Sequence, residues 1–245
     1  MTFDTTGLIL TAIIFLWAGF VRTGLGFGGA AMGLPLMLLL GGSPLYWLPM
    51  IGIHLLFFSS LTLSKSIHKV DWPYLRGSLK WIIPPTLLGV AGLISLPDSV
   101  VIVFIYSITI FYALTWVSNR KITSHKAWVD KFLLVVGGYV AGTSLTGAPL
   151  IVAVYMRHVA KAYLRNTLFV LWFILVSIKM ATFVALDVEI DWEFSLMLIP
   201  VAAIGHVIGL KFHDRIIAND QLFKKWIGSA LLIICSFGLL KLFLS

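Results

Sequence analysis

Six stretches of the chain, residues 45–64, 75–96, 98–118, 163–186, 194–212 and 222–244, stay apolar over a length that can cross a membrane. A helix needs about 20 residues to traverse a hydrocarbon core of about 30 Å. Soluble domains reserve about a quarter of their residues for charge; here charged residues make up 11% and hydrophobic ones 60% of 245. A water-soluble fold is therefore excluded, and the expectation is an all-α, polytopic membrane protein. The single cysteine, Cys235, excludes an intrachain disulfide framework and a Cys-rich metal site. The net charge of +8 comes without a basic stripe interleaved with aromatics outside the apolar segments, so nucleic acid is not an expected partner.

Two further apolar stretches, residues 8–41 and 132–156, are interrupted by small residues. Gly24, Gly26, Gly28 and Gly29 break the first; Gly142, Thr143, Ser144, Thr146, Gly147 and Pro149 break the second. Each half is expected to be too short to cross, which predicts half-helices meeting at an irregular centre. The two interruptions also align. Gly24-Leu25-Gly26-Phe27-Gly28-Gly29-Ala30 matches Gly142-Thr143-Ser144-Leu145-Thr146-Gly147-Ala148 at an offset of 118, and Val70-Asp71-Trp72 matches Ile190-Asp191-Trp192 at an offset of 120, with Gly89 then meeting Gly209. Two anchors at nearly equal offsets indicate an internal duplication. The chain reads as one domain, 1–245, with repeat one over about 1–122 and repeat two over about 123–245. The N-terminus lacks a basic leader and a cleavage site, so no removable signal peptide is expected.

Charge placement orients the repeats. The segments 65–80, 119–131, 157–165 and 211–225 hold 15 of the 18 Lys and Arg, which by the positive-inside rule makes them cytoplasmic. Asp4, Asp98, Asp187, Glu189, Asp191 and Glu193 fall in the segments left for the outside. Basic segments flank residues 132–156 on both sides, so that stretch must enter and leave on one face as a re-entrant hairpin. By the repeat, residues 8–41 form a matching hairpin from the opposite face. Each half is then a broken-helix hairpin plus three transmembrane helices, the halves are inverted, and both termini lie outside. Trp47, Trp72, Trp116, Trp128, Trp192 and Trp226 fall near span ends, where interfacial belts are expected.

Broken helices meeting near the bilayer midplane characterise secondary transporters. A helix N-terminus carries about half a positive charge, and glycines let a ligand approach its free N–H groups. The expected solute is an anion. Gly28, Gly29, Gly147 and Ala148 would give backbone approach, Ser144 and Thr146 hydroxyl donors, with Pro149 suited to the first helical turn. Arg22 and Lys179 are the cations inside apolar segments, and no acid accompanies them there. A charge at depth costs about 2.5–3.5 kcal/mol on insertion scales and is by default functional. The competing readings are that small residues merely let helices pack closely, that Lys179 snorkels to the headgroups, and that Arg22 caps hairpin carbonyls. His54 and His206 are candidates for carrying a coupled proton, against the plainer reading of neutral histidines bonded to neighbouring helices. No metal or cofactor is expected. Gly24, Gly26 and Gly29 spell G-x-G-x-x-G, but no acid lies between Asp4 and Asp71 to hold a ribose and no βαβ pattern surrounds them. No HExxH, P-loop, GxSxG or Cys/His cluster occurs, so enzymatic chemistry has no seat.

With these residues in view, the chain resembles the TauE/SafE sulfite exporter family. The likeness runs through Gly24 to Gly29 followed by Pro35, Val70-Asp71-Trp72, Gly142 to Pro149, the basic Arg157 to Arg165 segment, Asn166-Thr167, and Gly205 with Gly209. The resemblance implies transport, in either direction, of small sulfur-containing anions such as sulfite, sulfonates or thiosulfate in a bacterial-type plasma (inner) membrane. It also implies that Lys179 stands where a basic residue is common in the family. The span after Pro49 departs from the family's small-and-hydroxyl pattern, carrying His54 and Phe57-Phe58. Expected partners are a small anionic substrate, membrane lipid and a coupling proton, with a homodimer admissible. The competing functions are a passive anion channel, a transporter of a non-sulfur organic anion, and a membrane enzyme or assembly subunit.

Overall fold

A computed structural model describes residues 4–25, 28–63, 67–120, 122–123, 125–218 and 220–244. Gly26 and Phe27 of the first glycine cluster, and Lys65 and Lys121 of the basic segments, lie outside the described residues. Among the described residues the regular structure is wholly helical. The helices are α1 (Thr5–Leu25), α2 (Gly29–Leu39), α3 (Pro44–Leu63), α4 (Trp72–Ser95), α5 (Asp98–Val117), α6 (Ala127–Ser144), α7 (Ala148–His158), α8 (Lys161–Ala185), α9 (Trp192–Met197), α10 (Ile199–Ala218) and α11 (Asp220–Leu244). Among the described residues, seven segments are long and apolar enough to cross a membrane, one more than the six unbroken runs.

The seventh is α1, and its length corrects the expectation of two half-helices on either side of the glycines. α1 runs unbroken through Gly19 and Gly24, and α6 runs through Gly137, Gly138 and Gly142, at 21 and 18 residues. The interruptions come later. Gly28 sits at φ 86 before α2, and Leu145 adopts a left-handed conformation, φ 59, after α6. Only the return arms are short: α2 and α7 have 11 residues each, about 16 Å at 1.5 Å per residue.

The helical glycines have a different task, which each of the chain's two compact units shows separately. The first unit comprises Met1–Trp47, Leu96–Lys121 and Asp191–Ser245; the second comprises Leu48–Ser95 and Ile122–Ile190. In the second unit α4 packs along α6. A Cβ on Gly138 would press on the carbonyl of Ile82, one on Gly142 would overlap the carbonyl of Thr86, and one on Gly89 would overlap that of Tyr139. In the first unit α1 packs along α10 by the same means, with Gly19 against the carbonyl of Ala202, Gly205 against Leu16 and Gly209 against Phe20. Backbone touches backbone at these crossings, an approach that any side chain would prevent. Contacts advance together along both helices (82 with 138, then 86 with 142), so α4 and α6 run parallel and start at the same end. The two crossings share a register: Gly138 follows Gly19 by 119 positions and Ala202 follows Ile82 by 120.

The Asp-Trp anchors are helix starts. Asp71 Oδ1 accepts from the N–H of Tyr74 at 3.1 Å, and Asp191 Oδ1 from the N–H of Phe194 at 3.0 Å. Both carboxylates satisfy an otherwise orphaned donor in the first turn and sit at the positive end of the helix dipole. Asp191→Ala is expected to cost about 1 kcal/mol, lowering Tm of the purified protein by about 2–4 °C, whereas Asp191→Asn should leave it nearly unchanged.

Two details depart from the sequence reading. The span expected at 194–212 is split at Leu198 into α9 and α10. Pro200 accounts for this, since it lacks an N–H and its ring crowds the carbonyl four residues earlier. Trp47 is fully buried and its Nε1 donates to the carbonyl of Gly41 at 2.8 Å, so it is a core residue and not part of an interfacial belt. Trp128, Trp192 and Trp226 are exposed, as that belt requires.

Candidate functional site

The hairpin α6–α7 is closed at its open end by an ion pair. Asp130, in the first turn of α6, accepts through Oδ2 from Arg157 Nη1 at 2.9 Å and meets His158 Nε2 at 2.8 Å, both at the end of α7. His158 also stacks on Tyr74 at 5.1 Å, and Tyr155 meets Ser78 Oγ at 2.6 Å. Thr167 of α8 accepts from the N–H of Asp71 at 2.9 Å. The starts of α4, α6 and α8 and the end of α7 therefore gather at one end of the second unit. The chain leaves the hairpin where it entered it, which is the geometry the flanking basic segments required.

At the other end lies the turn. Ser144 Oγ donates to the carbonyl of Val140 at 2.9 Å, and 2.6 Å separates it from Thr146 Oγ1. A hydroxyl has one hydrogen, so with Ser144 committed to Val140 the Thr146 hydrogen goes to Ser144. Thr143 Oγ1 donates to the carbonyl of Tyr139 at 3.0 Å. These hydroxyls, expected as donors to a solute, bind the turn together. Gly147 N-caps α7 at φ −67, and a Cβ on it would overlap the carbonyl of Gly137. Its smallness thus serves the fit of α7 against α6. Ala148 opens α7 and Pro149 lies in its first turn, as expected from the sequence.

Lys179 reaches this turn from α8. Its Nζ donates to the carbonyl of Gly142 at 2.6 Å and of Thr143 at 3.3 Å, and it lies 5.7 Å from the ring centre of Phe183. The side chain is 1% exposed. It does not snorkel. It donates to the last carbonyls of α6, at the negative end of that helix. An internal acid was not needed because backbone carbonyls serve as the counter-dipole.

The first unit carries the matching hairpin. Gly28 N-caps α2 in a left-handed conformation that glycine adopts without strain. Gly29 packs against the carbonyl of Ala18 and the side chain of Arg22, as Gly147 packs against Gly137 and Ala141 in the second unit. Arg22 is buried in the last turn of α1. His206 Nδ1 meets Thr23 Oγ1 at 2.6 Å, and Thr23 Oγ1 donates to the carbonyl of Gly19 at 3.0 Å, so the imidazole supplies the hydrogen of the shared bond. That bond ties α10 to α1 at their crossing. His54 is buried in α3, in the second unit.

Sequence reading missed the Asp130–Arg157–His158 clasp and the Tyr74, Ser78 and Tyr155 cluster beside it. The signal was present: once residues 144–147 are a turn, antiparallel arms bring 130 to within about one turn of 158. Among the described residues, no group of three His, Cys, Asp or Glu could hold a metal ion.

Hairpins with small-residue turns and, among the described residues, seven segments long enough to span define a polytopic membrane protein. The chain belongs to the TauE/SafE family: the model described as "Sulfite exporter TauE/SafE" matches residues 11–237. No curated protein and no solved structure matches it.

Proposed function

We propose that this chain is a secondary transporter of small sulfur-containing anions, sulfite, sulfonate or thiosulfate, that bind at the turn between α6 and α7 next to Lys179. The observation that carries the reading is the buried Lys179 Nζ on the carbonyls of Gly142 and Thr143, at the turn that leads into α7. Bringing an anion into an apolar medium is costly unless fixed charge and aligned dipoles replace its water. A cation and a helix start supply both, and they are held by groups that do not have to rearrange. The hydroxyls of Ser144 and Thr146 then shape the turn, while the N–H groups at the start of α7 are the donors. The recurrence of the α4–α6 crossing in α1–α10, at nearly constant sequence offset, supports an inverted repeat in which the two hairpins have equivalent roles. The basic segments at the α4, α6 and α8 starts support a cytoplasmic location for that end, in a bacterial-type inner membrane with both termini outside.

The test is counterflow in proteoliposomes. Vesicles loaded with unlabelled sulfite, thiosulfate or a short sulfonate should accumulate labelled anion transiently, and sulfate or lactate inside should not drive it. Flux that rises linearly with concentration and voltage, without exchange, would identify a passive pore.

A further inference from the structure

Lys80 on α4 and Lys131 on α6 flank one indole. Their ammonium nitrogens lie 5.9 Å and 5.0 Å from the ring centre of Trp81, inside the range of cation–π attraction. Both lysines are exposed, and Trp128, one turn before Lys131 on the same face of α6, is 66% exposed. The neighbouring acid does not cancel this charge, because the carboxylate of Asp130 is taken up by Arg157 and His158.

Further along the same faces the surface turns apolar. Leu87 lies two turns beyond Lys80 and Val135 one turn beyond Lys131, and both are exposed. Because α4 and α6 run parallel, both helices present charge and indole toward their starting ends and hydrocarbon beyond. That sequence of surfaces, cation and amphipathic ring first and aliphatic side chains next, mirrors an anionic phospholipid read from headgroup to acyl chain. A soluble anion would have no use for the apolar continuation.

We infer that Lys80, Trp81 and Lys131 form a binding site for the phosphate of an anionic phospholipid, with Trp128 one turn further out among the headgroups and Leu87 and Val135 along the chains. The inference depends on membrane embedding and not on the transported solute. A lysine near an anionic surface contributes about fivefold in affinity. Native mass spectrometry of the intact protein, released from mixed micelles of phosphatidylglycerol and phosphatidylcholine, should show preferential retention of phosphatidylglycerol. Lys80→Gln and Lys131→Gln should each lower that preference about fivefold, and the double variant about 25-fold, with Tm in lipid-free detergent unchanged. Equal retention of both lipids, or a preference that survives the double substitution, would overturn the assignment. Glycerol phosphate serves as the soluble arm: stabilisation by it equal to that by phosphatidylglycerol would make the ligand a free phosphate and also overturn the lipid reading.

Discussion

Lys179→Met is expected to reduce anion uptake by about 100-fold while leaving the protein folded. The flux follows from the charge: burying a lone charge at membrane depth costs about 2.5–3.5 kcal/mol, and an anion brought to the α6–α7 turn without Lys179 would bear that cost unrelieved. The fold should be spared because two opposing effects nearly cancel. Methionine keeps the length and apolar stem of lysine and removes the desolvation of a buried ammonium, while the carbonyls of Gly142 and Thr143 lose their donor, a loss of about 1–3 kcal/mol. Lys179→Arg should retain part of the activity, since the charge remains and the planar head fits two converging carbonyls less well. Uptake in proteoliposomes and Tm in detergent, measured side by side, separate the roles. Normal uptake by a variant whose Tm has collapsed would make Lys179 a helix cap and nothing more.

Gly142→Ala is expected to have the largest effect on folding. The added methyl would overlap the carbonyl oxygen of Thr86, and backbone cannot swing aside as a flexible side chain would. Overpacking typically costs about 1–3 kcal/mol, and this position belongs at or above the upper end because α4 and α6 would have to separate along their whole crossing. Gly77→Ala on α4 is the control: a Cβ there meets nothing within 4 Å, so the variant should gain up to about 1 kcal/mol from helix propensity. Monodisperse yield and Tm for the pair check the claim. Wild-type behaviour of Gly142→Ala would mean that the crossing tolerates a wider spacing than the structure has.

Much of this architecture is legible in the sequence, and most of the parts that are not share a cause. Continuous apolar runs place the spans because lipid imposes a length on every helix that crosses it. Basic segments on both sides of residues 132–156 force a hairpin because charge bias fixes the side of each connection. The Val70-Asp71-Trp72 and Ile190-Asp191-Trp192 anchors reappear as capped helix starts. What the sequence obscures is whether a glycine ends a helix or admits a neighbour. Gly24 and Gly142 look like breaks, yet both lie inside helices whose partners stand more than 50 positions away in the chain, and only those partners explain them. The fate of the hydroxyls is decided locally, by a carbonyl four positions before Ser144 and by Ser144 itself beside Thr146. Lys179 finds its acceptors 36 and 37 positions upstream, beyond any local pattern.

The pairing of α1 with α10 has a consequence for how the polypeptide is made. The second unit is complete once residue 190 has been synthesised, whereas the first needs Asp191–Ser245 to join helices made at the outset. α1 must therefore wait in the bilayer, its Gly19 and Gly24 face open, through the translation of everything between. Ribosome-stalled chains of increasing length should show protease protection of the α4–α6 region well before that of α1. During that interval α1 is the segment most open to mispairing, and the one for which an insertase would matter most.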